Sequence, residues 1–179
     1  MDYSIHFICT HAEAREIVKK QKKFWISDCG CRLQNKEGCS RSRIDVCLGF
    51  SDNATSSSSN LKKATRKQVE ELFKEADKKF LITRPFRNDK NPDVIEGICF
   101  CCDDCCGYFR DQDEYCDPGK FTQETDKSKC TNCGECISVC YFAARSYNNQ
   151  ELIIYPDNCL GCGLCISVCP EACIKMVSR

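Results

Sequence analysis

Eight of the chain's 20 cysteines fall into two copies of one pattern near the C-terminus. Both copies read C-x2-C-x2-C-x3-C, and each cysteine of the first copy recurs 29 residues later. The copies comprise Cys130, Cys133, Cys136 and Cys140, and then Cys159, Cys162, Cys165 and Cys169. Thiolates are ligands for iron and zinc, so four of them in so short a segment predict a metal centre for each copy.

A glycine follows the second cysteine of each copy, at Gly134 and Gly163. Such small residues let the backbone approach a cluster, so that amide N–H groups can point at its sulfurs. We expect the first three cysteines to lie on a tight loop and the fourth to begin a short helix. Zinc is the alternative, but four-cysteine zinc sites usually consist of two well-separated C-x2-C pairs, so the doubled pattern favours iron–sulfur clusters.

The doubled pattern closely resembles that of the bacterial-type two-cluster 4Fe–4S ferredoxins, over residues 120–179. The resemblance implies a pseudo-two-fold α+β fold in which the fourth cysteine of each copy serves the other cluster. It assigns one cluster to Cys130, Cys133, Cys136 and Cys169, and the other to Cys159, Cys162, Cys165 and Cys140. Tyr141 replaces the usual proline of the family, but that proline is no ligand, so we expect cluster binding to persist.

Nine cysteines further upstream are also candidate metal ligands: Cys29, Cys31, Cys39, Cys47, Cys99, Cys101, Cys102, Cys105 and Cys106. They form two groups in loop-like sequence, joined by one predicted helix that can pack back and bring both groups together. Their order resembles a module of multi-cluster ferredoxin-like proteins of anaerobes. That family often has a further cysteine where this chain has Asp104, so the ligand set departs from the pattern.

These nine thiols suffice for two more 4Fe–4S clusters or for one larger cluster, with zinc as the alternative. Of the remaining cysteines, Cys9 and Cys173 are expected to be small buried hydrophobic residues, and Cys116 is either such a residue or a metal ligand. Hydrophobic residues reach 42% only when the cysteines are counted among them. Metal ligation is therefore expected to help hold the fold together.

Capping boxes predict two helices, one from Thr10 over residues 11–23 and one from Thr65 with Val69 and Leu72 on its apolar face. Short strands are predicted near residues 3–9, 24–26, 121–122, 150–155 and 174–177, and a polar loop at 51–60. The fold class is α+β. We divide the chain into a small cysteine-rich metal-binding module at 1–119 and a ferredoxin domain at 120–179.

Charge and hydropathy exclude several classes of protein. Residues 1–97 carry 19 Lys and Arg against 14 Asp and Glu, whereas residues 98–179 carry 7 against 12. This division lacks the dominant basic face that nucleic-acid binding requires. No apolar run approaches the roughly 20 residues of a membrane span, and no signal peptide is visible. We therefore expect a metalloprotein of the reducing cytoplasm rather than a secreted disulfide-rich protein.

The predicted function is the transfer of single electrons through two ferredoxin clusters and one or two further N-terminal clusters. The partner would be a redox protein, met either in solution or within a larger oxidoreductase complex. Electron transfer needs no substrate chemistry. The alternative is a redox enzyme or reductive activator, in which an N-terminal cluster with an open coordination position is catalytic and the ferredoxin domain feeds it.

Overall fold

A computed structural model describes residues 3–36, 38–52, 60–110 and 114–179. The predicted polar loop at 51–60 lies largely outside these ranges. Helices and strands are mixed throughout both parts of the chain, which confirms the α+β fold class.

The N-terminal part comprises α1 (His11–Lys19), β1 (Phe24–Ser27), α2 (Gly30–Gln34), β2 (Cys47–Gly49), β3 (Lys62–Ala64), α3 (Arg66–Lys79), β4 (Ile82–Arg87), β5 (Ile95–Cys101) and α4 (Gly107–Arg110). The C-terminal part comprises β6 (Phe121–Thr125), α5 (Glu135–Ser138), β7 (Arg145–Asn148), β8 (Glu151–Ile154), α6 (Leu164–Ser167) and β9 (Ile174–Ser178). A single 3₁₀ turn, Pro156–Asn158, precedes the second cysteine copy.

Five N-terminal strands form one antiparallel sheet in the order β3-β1-β2-β5-β4. Its register sets Cys47 opposite Cys99, and Arg84 opposite Cys99 on the other side. Because side chains alternate between the faces of a sheet, Cys101 shares a face with these three residues, whereas Phe100 points to the other face. The sheet thus separates a cysteine-bearing face from an apolar one.

Helix α3 covers the apolar face. Its residues Val69, Leu72, Phe73 and Ala76 are fully buried and pack in one hydrophobic cluster with Phe100 of β5. Burying a side chain of this size contributes roughly 2 kcal/mol, so this cluster gives the N-terminal part a core of its own. Both predicted capping boxes are present, at Thr10–Glu13 and at Thr65–Gln68.

Several predicted boundaries are wrong. Helix α1 ends at Lys19 rather than at residue 23, because the chain turns after Lys20 to enter β1. Residues 3–9 form only isolated bridges at His6, Phe7 and Cys9. The cysteine groups, predicted to lie in loop-like sequence, lie partly in strands β2 and β5, because cysteine packs in a strand as a small hydrophobic residue.

The C-terminal part contains two antiparallel strand pairs, β6 with β9 and β7 with β8. These pairs confirm the strands predicted in this part of the chain. Helices α5 and α6 occupy equivalent positions in the two cysteine copies, which produces the pseudo-two-fold arrangement. The fourth cysteine does not begin the helix as predicted: each helix carries the third cysteine, and Cys140 and Cys169 follow its end.

A hydrophobic cluster joins the two parts of the chain. Ile8, Ile82 and Cys106 from the N-terminal part pack with Val139 and Leu164 from the C-terminal part. Partly buried aromatic residues surround this junction: Tyr108, Phe109, Tyr141 and Phe142. The two parts therefore share apolar contacts as well as having clusters of their own.

Candidate metal centres

The first C-terminal cavity is lined by the first three cysteines of copy one and the last of copy two: Cys130, Cys133, Cys136 and Cys169. This is the crossed grouping that the ferredoxin resemblance implies. A fifth thiol also lines the cavity, since the Sγ of Cys173 lies 3.4 Å from the Sγ of Cys169. Cys173 is buried, as predicted, but it packs beside a candidate ligand rather than in a remote core.

The second C-terminal cavity is lined by the complementary set: Cys140, Cys159, Cys162 and Cys165. Apolar neighbours such as Leu160 and Met176 complete its wall. Burial raises the pKa of the Cys162 thiol to about 12, so metal binding there must displace a proton. Four converging thiols in each cavity form the donor set that a 4Fe–4S cluster requires.

Left-handed backbone turns shape both cavities. Helices α5 and α6 begin at Gly134 and Gly163, with φ of 81° and 77°. Such values favour glycine, because a Cβ atom there crowds the backbone. At Gly163 an added Cβ would also lie 3.1 Å from a side-chain carbon of Thr10, so this turn packs directly against the N-terminal part.

A second left-handed turn follows the fourth cysteine of each copy, at Ala143 and Ala172. Burial raises the pKa of the Cys169 thiol, but backbone N–H groups of residues 171–173 outweigh it and lower that pKa below its ordinary value. Backbone amides thus stabilise negative charge on this sulfur, as they do on the sulfurs of iron–sulfur clusters.

Arg145 lies between the two C-terminal cavities. Its side chain is 3% exposed, and Nη1 donates to the Sγ of Cys136 at 3.3 Å. Its Nη2 donates to Gln123 and Thr125. A buried cation is costly without negative charge nearby, so this arginine fits a site whose thiols are ionised by metal.

Members of both upstream sequence groups meet, as expected, but the nine cysteines divide between two separate sites. Six of them line a cavity of about 790 Å³ and are called here the six-thiol ring: Cys29, Cys31, Cys47, Cys99, Cys101 and Cys106. Neighbouring thiols close the ring in the order Cys29, Cys47, Cys99, Cys101, Cys106 and Cys31. Cys29 immediately precedes α2 and Cys31 lies in it, whereas the other members come from β2, β5 and the segment before α4.

Two side chains that the sequence did not single out face the six-thiol ring. Arg84 is 2% exposed, and its Nη1 lies 3.1 Å from the Sγ of Cys106. His6 Nε2 lies 3.9 Å from the Sγ of Cys99, although His6 lies outside both upstream cysteine groups in sequence. Burial and the charge of Arg84 lower the pKa of His6 to about 4, so its ring is neutral at neutral pH.

The other three upstream cysteines, Cys39, Cys102 and Cys105, form a separate group called here the three-thiol site. Their Sγ atoms all lie within 4.8 Å of one another. Adjacent residues at the end of a strand face opposite sides of the sheet, so Cys101 joins the ring while Cys102 joins this site on the apolar side. The split is a consequence of strand geometry.

The three-thiol site has its own buried arginine. Arg32 is 3% exposed, and its Nη2 lies 4.0 Å from the Sγ of Cys102. The same side chain donates to the backbone carbonyls of Arg43 and Phe100. Each of the three cysteine-rich regions thus contains one buried arginine beside a sulfur, at Arg32, Arg84 or Arg145.

Sequence reasoning missed two of these arginines, because an isolated arginine in a strand carries no motif. Arg32 could be noticed from the Cys-x-Cys-Arg run. Cys9 and Cys116 line neither C-terminal cavity and belong to neither upstream group. Burial raises the pKa of Cys9 to about 12, and its Sγ lies 3.6 Å from the hydroxyl of Thr83, as expected for a thiol that packs in a core.

Comparison with known proteins gives a family match for the C-terminal part. Residues 123–176 match the family model described as 4Fe-4S dicluster domain, and these residues contain all eight cysteines of the doubled pattern. No curated protein matches the chain. Among the described residues, no helix has the length and apolar character that crossing a membrane requires. The C-terminal part of the chain is thus a ferredoxin-type 4Fe–4S dicluster domain that binds iron–sulfur clusters.

Proposed function

We propose that this protein relays single electrons between its C-terminal dicluster domain and an N-terminal cluster held by the six-thiol ring. When bound, a 4Fe–4S cluster takes up and releases one electron. The observation that carries the proposal is the shared hydrophobic cluster at the junction. Cys162 of the second C-terminal cavity packs in the same cluster as Cys101 and Cys106 of the ring.

The lining of the two C-terminal cavities supports the ligand assignments that we propose. Cys130, Cys133, Cys136 and Cys169 hold one 4Fe–4S cluster, and Cys140, Cys159, Cys162 and Cys165 hold the other. In the ring, six thiols exceed the four that one cubane needs, which supports a single larger cluster as well as a cubane with two spare thiols. Arg84 supplies positive charge to whichever cluster is bound there.

The surface of the dicluster domain suggests where a redox partner docks. Cys133 is exposed, whereas the equivalent residue Cys162 is turned toward the N-terminal part. The first cavity therefore faces solvent, and the second faces the interior of the relay. Because residues 98–179 are acidic overall, we propose a protein partner with a basic patch, in the reducing cytoplasm.

Anaerobic purification of the full chain with iron and sulfide determination tests the cluster content. We expect about eight irons from the dicluster domain and further iron from the ring. EPR spectroscopy of the reduced protein should then show signals beyond those of two interacting cubanes. Zinc in place of iron throughout would contradict the proposal.

The order of the relay is tested by rapid mixing with a limiting reductant, followed by freeze-quench EPR. Replacing Cys140 by alanine should remove the cluster of the second cavity and greatly slow reduction of the N-terminal cluster. Replacing Cys9 by alanine is the matched control, because this thiol belongs to no cavity. Unchanged N-terminal reduction in the Cys140→Ala variant would show that electrons enter the N-terminal part directly.

A second function, reductive catalysis at the six-thiol ring, is favoured by one observation. The cavity of about 790 Å³ is larger than the C-terminal cavities, and His6 and Glu114 line it beside the thiols. A small molecule could therefore meet a cluster bound there. Addition of a small ligand such as cyanide or carbon monoxide to the reduced protein should perturb the N-terminal EPR signal if a coordination position is open, and leave it unchanged in a pure relay.

A further inference from the structure

We infer that the three-thiol site binds a single thiophilic divalent cation, Zn²⁺ by preference, with Cys39, Cys102 and Cys105 as ligands and a non-thiolate ligand in the fourth position. This site is separate from the relay, and the inference does not rest on the proposed function. The sequence alone groups these three thiols with the candidate cluster ligands, whereas the inference assigns them to a single metal ion.

The spacing of the sulfurs distinguishes one metal ion from a cluster. The Sγ of Cys102 lies 3.5 Å from the Sγ atoms of both Cys39 and Cys105. Thiolates around one tetrahedral zinc ion, with Zn–S bonds of about 2.3 Å, lie about 3.8 Å apart. In a cubane each thiolate binds a different iron atom, so its sulfurs spread more widely.

The two kinds of site differ in the same molecule. Among the described residues, the three-thiol site is the one group of three or more potential ligands whose donor atoms all lie within 4.8 Å. The cysteines of the C-terminal cavities, where residues 123–176 match a dicluster domain, do not meet that criterion. Compact spacing is therefore a property of this site and not of cysteine-rich regions throughout the chain.

The sequence around the site has the spacing of a zinc site. Cys102 and Cys105 form a C-x2-C pair immediately after β5, and Cys39 comes from a distant loop between α2 and β2. Structural zinc sites commonly combine such a pair with ligands from another segment. The loop of Cys39 is fixed to the pair by an additional contact, because the backbone N–H of Ser40 donates to Asp104 Oδ2 at 2.8 Å.

Asp104 lies beside the site, but its carboxylate oxygens lie outside the group of donor atoms that are within 4.8 Å of one another. It is half-buried between the two cysteines of the pair, and its carboxylate is anchored beside Cys39. The neighbouring Asp103 is directed elsewhere, since it forms an ion pair with Arg41 at 2.5 Å. A water held by the carboxylate of Asp104 would complete a tetrahedral zinc site, and the buried guanidinium of Arg32 offsets the excess negative charge.

Metal analysis of the full anaerobically purified chain tests the inference. We expect about one zinc ion per chain in addition to iron. Replacing Cys39 or Cys105 by serine should remove the zinc and leave iron, sulfide and the EPR signals of the reduced protein unchanged. Cys9→Ser is the matched control and should retain both metals.

Co²⁺ supplies a second measurement that does not depend on removing a ligand. The Co²⁺-substituted protein should show the visible absorption of a tetrahedral site with three thiolates. Asp104→Cys should increase the thiolate-to-cobalt charge-transfer band by about a third, since four thiolates replace three. Asp103→Asn should leave the spectrum unchanged.

Two outcomes would overturn the inference. Joint loss of iron and sulfide in the Cys39→Ser variant would mean that these thiols hold an iron–sulfur cluster. Full-chain protein with neither zinc nor a cobalt spectrum would mean that they are unligated thiols. Failure of the relay proposal would instead appear as missing iron or unchanged electron transfer, with the zinc content unaffected.

Discussion

The C-terminal and N-terminal parts gather their thiols in different ways. In the C-terminal part, three of the four thiols in each cavity come from one stretch of seven residues, within a single turn and short helix. In the N-terminal part, the six-thiol ring draws on four separate elements across the sheet. One site is built by local sequence and the other by tertiary structure.

The hydrophobic clusters of the N-terminal and C-terminal parts also differ in composition. The N-terminal hydrophobic cluster is dominated by aliphatic and aromatic side chains of α3 and the sheet, such as Leu72 and Phe73. The C-terminal cluster of fully buried residues has five members, and three of them are cysteines: Cys136, Cys165 and Cys173. Stability of the C-terminal part should therefore depend on metal, whereas the N-terminal part can hold its core without it.

Removal of all metal and sulfide is the strongest test of this difference between the two parts. In the apo-protein we expect the four strands β6, β7, β8 and β9 to lose protection from amide hydrogen exchange, because the cluster ligands form much of the core of the C-terminal part. Helix α3 and the five-stranded sheet should keep most of their protection. Equal loss in both parts would show that the N-terminal core also requires metal.

Substitution of the fourth cysteines distinguishes the two C-terminal cavities from each other. Cys140→Ala should cost about four irons per chain, because no additional cysteine lines that cavity. Cys169→Ala should cost fewer, since the thiol of Cys173 lies 3.4 Å away and can replace it. Iron analysis measures both, and the double variant Cys169→Ala with Cys173→Ala should behave as Cys140→Ala does.

Glycine substitution compares a crowded left-handed position with an open one. Gly161 has φ of 86°, and a Cβ there would collide with the backbone carbonyl of Phe121. We expect Gly161→Ala to lower the free energy of unfolding of the holo-protein by about 3 kcal/mol. Gly38 has a similar φ of 75° but open space around it, so Gly38→Ala should cost only about 1 kcal/mol. Chemical denaturation under anaerobic conditions provides the measurement.

The smallest effect is expected from the buried arginine of the dicluster domain. Arg145→Met removes a positive charge beside Cys136 and should lower the reduction potential of the C-terminal clusters by on the order of 50 mV. Lys175→Met is the control, because that side chain is exposed and paired with Glu124. Potentiometric titration followed by EPR should show a shift in the first variant alone, and equal shifts would contradict a local role for Arg145.

Much of the C-terminal site could be read from the sequence because its spacing rules are local. The doubled cysteine pattern carries the resemblance to two-cluster ferredoxins, and that resemblance implied the two crossed sets of cysteines and the pseudo-two-fold fold. The pattern did not reveal that Cys173 contacts Cys169. Residues four positions apart come into contact only when the chain turns between them. Nor did it reveal Arg145, which reaches Cys136 from a strand.

The N-terminal part shows more clearly what could not be predicted from the sequence. The sequence by itself determined that nine upstream thiols were available and that two capping boxes start helices. Only the tertiary structure decided how those thiols divide, because Cys101 and Cys102 are adjacent in sequence but face opposite sides of the sheet. The pairing of Cys47 with Cys99, and the approach of Cys39 to the pair of Cys102 and Cys105, depend on strand register and loop packing between distant segments, which residue spacing along one chain does not encode.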